Sequence, residues 1–107
     1  MAKSILGLGI FRYSNEILQK ITIHLIVLLI ATLIFLSVGY NSDDWNGIDE
    51  KKDVTLQDKC FNRFYFSVIT FSTIGYGDIS PKTTALRAST IIFALIMTVE
   101  YYLLYKY

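Results

Sequence analysis

Residues Thr73-Ile74-Gly75-Tyr76-Gly77-Asp78 decide how the rest of this chain is interpreted. Glycine stands at alternate positions of this stretch, and glycine enters positive φ without the steric penalty that a Cβ brings. A backbone that alternates between two conformations can turn successive carbonyl oxygens to one side, where they can replace the water around a cation. Glycine and aspartate are also ordinary turn residues, so the hexapeptide alone is compatible with a plain loop.

The composition around this stretch favours a membrane protein. The chain has 107 residues, of which 53% are hydrophobic, and this length allows one small domain. Residues 21–40 contain no Asp, Glu, Lys or Arg, and a helix of about 20 residues spans the roughly 30 Å hydrocarbon core of a bilayer. A signal peptide is the competing interpretation, but its apolar core is usually only about 7 to 15 residues long. We therefore predict an outer membrane helix here.

A second membrane helix is predicted at the other end of the chain. Ser80 followed by Pro81 is typical of a helix N-cap and first position, and no glycine or proline interrupts residues 81–107. At about 1.5 Å per residue this helix would exceed the bilayer core, which predicts a tilt. Its end is aromatic and cationic, as suits the headgroup interface, and contains Tyr101, Tyr102, Tyr105, Lys106 and Tyr107.

A third helix is predicted between the two spans. Thr55-Leu56-Gln57-Asp58 has the form of a capping box, and residues 59–71 contain no glycine or proline. This helix would be about 20 Å long, too short to span a bilayer. Its carboxyl end would carry the negative end of the helix dipole, which favours a cation. A soluble helix in an exterior loop is the alternative.

The order of membrane helix, short helix, glycine-containing stretch and membrane helix resembles the pore domain of two-transmembrane potassium channels. In size the chain is most similar to the small potassium channels of large algal viruses. The resemblance implies an all-α, multi-pass membrane protein in which four identical chains surround one pore and both termini are cytoplasmic, in a viral or host membrane. It divides the chain into an interfacial segment (1–20), an outer helix (21–40), a turret (41–58), a pore helix (59–71), a selectivity filter (72–78) and an inner helix (81–107).

The resemblance also implies a function for the filter. Backbone carbonyls would replace the hydration shell of K⁺, which would cross the membrane passively without any cofactor, and Ba²⁺ would block the pore. The side chains of Ile74 and Tyr76 would face away from the ions and pack against the surrounding helix. The K⁺ ligands would come from Thr73, Ile74, Gly75, Tyr76 and Gly77.

The chain departs from the family pattern behind the filter. Many relatives carry tryptophans and a carboxylate in the pore helix, whereas this chain has Tyr65, Phe66 and Ile69 at the corresponding places. Asp78 therefore lacks a familiar carboxylate partner. We predict that the Tyr65 hydroxyl binds the Asp78 carboxylate instead.

Two ionisable residues fall within the predicted spans, where such groups are costly. His24 lies near the start of the outer helix and Glu100 near the end of the inner helix, so an antiparallel pair would bring them to a similar depth. We predict a contact and sensitivity to internal pH; alternatively each lies at the interface, or Glu100 faces the cavity. Helical spacing predicts one pore-lining face, on which Tyr101 and Tyr105 would form an inner constriction. The residues of this face are Thr98, Tyr101, Tyr102 and Tyr105.

The N-terminal residues and the charges are less decisive. Apolar residues beside two basic ones predict an interfacial helix, Ser14 or Asn15 could cap the next helix, and an untethered tail is the alternative. With both termini inside, four basic residues are cytoplasmic and six are not, so the positive-inside rule does not support this orientation. The acidic turret would either concentrate cations or merely stay hydrated. The residues of the predicted interfacial helix are Lys3, Ile5, Leu6, Leu8, Ile10, Phe11 and Arg12.

Other chemistry has little support in the sequence. The chain has one cysteine, Cys60, and one histidine, which argues against an intrachain disulfide and a metal cluster. It has no catalytic or phosphate-binding motif, so neither an enzyme nor a nucleic-acid-binding protein is predicted. The rival is a holin-like membrane protein that forms non-selective lesions, which would explain two spans but not the glycine-containing stretch.

Overall fold

The computed structural model describes residues 10–106, with side chains from residue 15 onward. Helices account for most of this length, and two of them are long and apolar enough to cross a membrane. Two short 3-10 helices, Ser42–Asp44 and Glu50–Lys52, lie in the turret. The main elements are α1 (Ile10–Val38), β1 (Trp45–Asn46), α2 (Leu56–Phe71), β2 (Ser80–Pro81) and α3 (Thr84–Lys106).

Helix α1 is longer than the sequence predicts. It runs without a break through Ser14 and Asn15, so neither residue caps a helix and that prediction is wrong. No glycine or proline interrupts the chain from Ile10 to Val38, and at about 1.5 Å per residue the 29 residues extend about 43 Å. The helix ends where the Gly39 amide donates to the Phe35 carbonyl at 2.8 Å. The side chains of the predicted interfacial helix lie outside the described residues.

Helix α2 begins at the predicted capping box. The Asp58 amide donates to the Thr55 hydroxyl at 3.0 Å, and the Thr55 amide donates to the Asp58 carboxylate at 3.3 Å. The two bonds satisfy donors that every helix start leaves unpaired. The helix therefore has 16 residues and starts before residue 59, but it ends at Phe71 as predicted.

Helix α3 begins later than the sequence predicts. Ser80 and Pro81 form β2, which pairs antiparallel with β1, so they are not the helix N-cap and first position. Proline has no amide hydrogen to donate, yet it fits at the edge of a two-residue strand. The Thr83 hydroxyl instead accepts from the Leu86 amide at 3.2 Å. The helix thus starts at Thr84, after a threonine cap.

Phe35 lies at the centre of the core and is fully buried. Its ring meets Phe66 of α2 at 5.5 Å and Phe93 of α3 at 5.6 Å, both edge to face, and Trp45 of β1 at 6.0 Å. Aromatic pairs in this distance range add about 0.5–1.5 kcal/mol each beyond their buried area. One phenylalanine of α1 therefore packs against α2, α3 and β1.

A buried ionic network joins the turret to the helices. Arg63 of α2 is fully buried and its guanidinium donates to Asp53 at 2.5 Å and to the carbonyls of Gly39 and Tyr40 at 3.0 Å. Lys59 also donates to Asp53 at 3.3 Å. Burial opposes ionisation of Asp53, but hydrogen bonds from Arg63, Asn62 and Lys59 outweigh it and hold its pKa below the ordinary value. The network satisfies the carbonyls at the end of α1.

We expect Arg63→Met to destabilise the fold by about 3–5 kcal/mol, because it leaves Asp53 buried without its main counter-charge. Thermal unfolding in detergent, followed by circular dichroism, measures the loss. Arg87→Met is the matched control, because Arg87 is exposed and such a change usually costs less than about 0.5 kcal/mol. Adding Asp53→Asn to Arg63→Met should recover part of the loss; equal stability of the parent and Arg63→Met would contradict the role of the network.

Candidate functional site

The stretch from Thr73 to Gly77 has an alternating backbone. φ is 69° at Thr73, 61° at Gly75 and 74° at Gly77, while no other non-glycine residue in the described part of the chain has positive φ. Positive φ is strained for a β-branched residue such as threonine, and the sequence did not predict it there. The alternation is the conformation that aligns successive carbonyls along one side.

Three carbonyls at the end of α2 bind amides of this stretch. The Ser72 amide donates to the Val68 carbonyl, and the Gly75 amide to the Ile69 carbonyl, both at 3.0 Å. The Thr73 amide donates to the Thr70 carbonyl at 3.3 Å. The last turn of the helix thus fixes the first half of the alternating segment, and its otherwise unpaired carbonyls gain partners.

The predicted hydrogen bond between Tyr65 and Asp78 is present. The Tyr65 hydroxyl donates to Asp78 Oδ2 at 2.7 Å. This bond to a carboxylate raises the pKa of Tyr65, with smaller contributions from burial and from the charges of Asp78 and Tyr76. It closes one end of a cavity of about 290 Å³ behind the alternating segment, which Phe66, Ile69, Thr73 and Gly75 also line.

The turret also supports the outer end of the segment, which sequence reasoning missed. Gly47 has φ 87°, and a Cβ there would lie only 1.7 Å from the Asp78 carbonyl oxygen. Next to it, Asn46 of β1 donates to the Ser80 hydroxyl at 3.3 Å. The only sequence signal was a glycine in the turret, so this contact could not be found without the fold.

Ile74 and Tyr76 are largely exposed in the single chain. Their exposed fractions are 53% and 69%. Their packing against a surrounding helix stays a prediction, because that helix can belong to another copy of the chain.

His24 and Glu100 are in contact, as the sequence predicts. His24 Nδ1 lies 3.1 and 3.2 Å from the two carboxylate oxygens of Glu100, whose side chain is buried. The His24 ring also lies 5.3 Å from the ring of Tyr101. The pair joins α1 to α3 near one end of the molecule.

The predicted pore-lining residues of α3 have different surroundings. Tyr105 is 91% exposed, Tyr102 lies beside Lys106, and the exposed Thr98 hydroxyl donates to the Ala94 carbonyl. Tyr101 differs, because its hydroxyl donates to the carbonyl of Phe71 at the end of α2. Its hydroxyl is therefore directed to the short helix, and the inner constriction stays a prediction.

A family described as an ion channel matches residues 22–105, which include all three helices and the alternating segment. The chain belongs to this ion-channel family. Membership confirms the predicted fold class, with two membrane-spanning helices and a third, shorter helix, and it places the protein in a membrane. It also confirms that the protein is not an enzyme.

Three relatives show how far the similarity extends. The two-pore potassium channel 4 of Arabidopsis thaliana is 34% identical over 73 residues, which cover 64% of this chain and 23% of that protein. Potassium channel protein 1 of Methanocaldococcus jannaschii is 31% identical over 78 residues, 73% of this chain and 20% of the relative. Potassium channel subfamily K member 17 of Homo sapiens is 58% identical over 33 residues, which cover 31% of this chain and 10% of that protein.

The chain spans less than a quarter of the length of these relatives. No solved structure matches the chain.

We expect Tyr65→Phe to shorten the open state of the channel, because it removes the hydroxyl that holds Asp78. The raised pKa of Tyr65 keeps this hydroxyl protonated, so the bond is complete below pH 10.0 and is lost as pH rises through the raised value. The open time of the parent in a planar bilayer should therefore exceed that of the variant at neutral outer pH, and this advantage should disappear as the pH rises through the raised pKa of Tyr65. Tyr40→Phe is the matched control. Equal open times of the parent and Tyr65→Phe at neutral pH would contradict a role of the Tyr65–Asp78 hydrogen bond in holding the channel open.

Proposed function

We propose that this chain forms a potassium-selective channel that conducts K⁺ passively across a membrane. The observation that carries the proposal is the positive φ at Thr73, Gly75 and Gly77. Backbone carbonyls aligned along one side can replace the water molecules around K⁺ without any side-chain charge. The relatives that share this segment are named as potassium channels.

One chain supplies only one row of carbonyls, so several copies must surround the ion. We propose a homotetramer, with K⁺ bound by the carbonyls of residues 73–77. The exposed side chains of Ile74 and Tyr76 support this assembly, because large apolar groups at the centre of a channel need partners. These partners would belong to neighbouring copies, whose packing would set the diameter of the ring.

Helix α2 contributes to the attraction of cations. Its carboxyl end lies directly before the filter, and the negative end of a helix dipole favours positive charge within about one turn. The Thr73 hydroxyl stands at the inner end of the row of carbonyls. Non-helical backbone at this depth is tolerated because it lines a path for ions and water.

The proposed orientation is the one that the resemblance to two-transmembrane potassium channels implies. We propose that the turret and Asp78 face the outside, and that both termini are cytoplasmic. His24 and Glu100 then lie in the inner half of the membrane. The resemblance to viral channels rests on size alone, and the comparisons support the broader potassium-channel group.

A holin-like protein that makes non-selective lesions is the rival function. It would need two apolar helices, which this chain has, but it has no use for a short capped helix whose end binds a strained backbone. The hydrogen bonds from Ser72, Thr73 and Gly75 to α2 therefore favour the selective channel.

Reconstitution of the purified protein in a planar bilayer tests the proposal. We expect unitary currents whose reversal potential under K⁺ on one side and Na⁺ on the other follows K⁺, and which Ba²⁺ blocks. Large steps without selectivity, or leakage of an encapsulated dye from vesicles, would establish the rival instead.

Gly75→Ala should abolish selective current while the protein still inserts into the membrane. An L-residue in this left-handed conformation costs about 1–2 kcal/mol per copy, and steric crowding is not the cause, since a Cβ at Gly75 meets no atom within 4 Å of its own chain. D-alanine at the same position, introduced by chemical synthesis, is the matched control, because it favours positive φ. Selective current in Gly75→Ala would contradict the proposed role of the backbone.

We also propose that His24 and Glu100 make the channel sensitive to internal pH. His24 Nδ1 lies 3.1 and 3.2 Å from the two carboxylate oxygens of Glu100, so a change in the charge of either side chain alters the contact between α1 and α3. Histidine is the residue type that most often serves as a pH switch. Tyr101 and Glu100 face His24 from α3, and Lys20 lies one turn away on α1.

Open probability of the parent channel should change between an internal pH of about 8 and about 5.5, the range in which histidine serves as a pH switch in proteins. Glu100→Gln should lose most of this response, because the neutral amide gains little from a charged imidazole. Glu16→Gln, which removes an exposed carboxylate at the same end of α1, is the matched control. Identical pH responses of the parent and Glu100→Gln would contradict the proposal that His24 and Glu100 sense internal pH.

A further inference from the structure

The last four carbonyls of α2 all accept hydrogen bonds, but the donors come from two different segments of the chain. A helix end leaves four carbonyls without partners inside the helix. The filter satisfies three of them through amides of Ser72, Thr73 and Gly75. The fourth, the Phe71 carbonyl, accepts from the hydroxyl of Tyr101, thirty residues further along the chain on α3.

Phe71 is held on both sides. Its ring is buried and stacks on Phe35 of α1 with a centroid distance of 6.2 Å and an angle of 16°. Its carbonyl is bound by Tyr101 of α3. Because only Ser72 separates Phe71 from Thr73, a shift of the Phe71 peptide group is transmitted to the first strained residue of the filter.

Tyr101 is in turn fixed by α1. Its ring lies 5.3 Å from the imidazole of His24, and the same imidazole binds the carboxylate of the neighbouring Glu100 at 3.1 Å. The tyrosine therefore belongs to a continuous set of contacts, in which α1 holds the end of α3 and α3 holds the end of α2.

We propose that Tyr101 is a positioning residue, which couples the inner end of α3 to the base of the selectivity filter through the carbonyl of Phe71. The proposal rests on the proposed function and adds a place where movement of the inner helix changes conduction. When the end of α3 moves away, the Phe71 carbonyl loses its donor and the start of the filter loses part of its support. The filter itself then acts as the gate.

This role differs from that of a pore-lining tyrosine. A tyrosine in a constriction changes the current through an open channel, because it narrows the path. A tyrosine that supports the filter changes how long the filter stays conducting and leaves the unitary current as it is. A single-channel recording, which gives both the unitary current and the open time, therefore distinguishes the two roles.

Tyr101→Phe removes the hydroxyl and keeps the ring beside His24. We expect the mean open time to fall about fivefold, as for the loss of one ordinary hydrogen bond, with unchanged unitary current and unchanged thermal stability of the assembly. The effect should shrink as K⁺ concentration rises, because an ion that binds the conducting filter stabilises it by mass action. A residue that only stabilises the fold would not show this dependence on K⁺.

Tyr40→Phe is the matched control, since Tyr40 is exposed and lies at the outer end of α1; it should keep the open time of the parent. Unchanged open times in Tyr101→Phe would overturn the proposal, and so would a changed unitary current without a change in open time. If the parent carries no K⁺-selective current, the proposed function fails, and this outcome is distinct from a failure of Tyr101→Phe.

A second measurement uses the parent protein and does not depend on the folding of a variant. With ¹³C in the Phe71 carbonyl and in the Tyr101 ring, solid-state NMR in bilayers should show a dipolar contact between the two labels. Its absence would overturn the proposed coupling even if Tyr101→Phe fails to assemble.

Discussion

The buried guanidinium of Arg63 is the interaction on which the rest of the structure depends. It binds the Asp53 carboxylate of the turret and the carbonyls of Gly39 and Tyr40, where α1 has ended. A buried charge is tolerated only when it is paired and fully hydrogen-bonded, and these partners of Arg63 come from two separate parts of the chain, the turret and the end of α1. The need to pair this buried charge therefore fixes the position of α2 relative to α1, since few other arrangements would supply both a carboxylate and free carbonyls.

The geometry of residues 73–78 depends first on the position of α2. The helix starts at the capping box of Thr55 and Asp58 and ends at Phe71, so its last turn delivers a set of carbonyls to one place in the fold. The amides of the filter bind those carbonyls, and Tyr65 reaches Asp78 from one face of the same helix. The strained backbone persists because the surrounding contacts over-determine it.

The filter is also supported from outside α2. Gly47 of the turret lies against the Asp78 carbonyl, and Tyr101 of the inner helix binds the Phe71 carbonyl. These two contacts lie at opposite ends of the filter and come from segments distant in sequence. Through Phe71, the second contact connects the end of α3 to the start of the stretch from Thr73 to Gly77.

The sequence by itself determined the two spans, the capped short helix and the glycine positions of the filter, because hydrophobic length, capping chemistry and freedom of φ are local properties. Matching depth in two antiparallel helices was enough to predict the His24–Glu100 contact, whereas the Tyr65–Asp78 bond was predicted from the resemblance to potassium channels. Only the tertiary structure decided that Pro81 lies in a strand, that Arg63 is buried and that Tyr101 turns to Phe71. Each of these depends on partners remote in sequence, such as Trp45 for Pro81 and Asp53 for Arg63, and local pattern carries no record of which distant groups will meet.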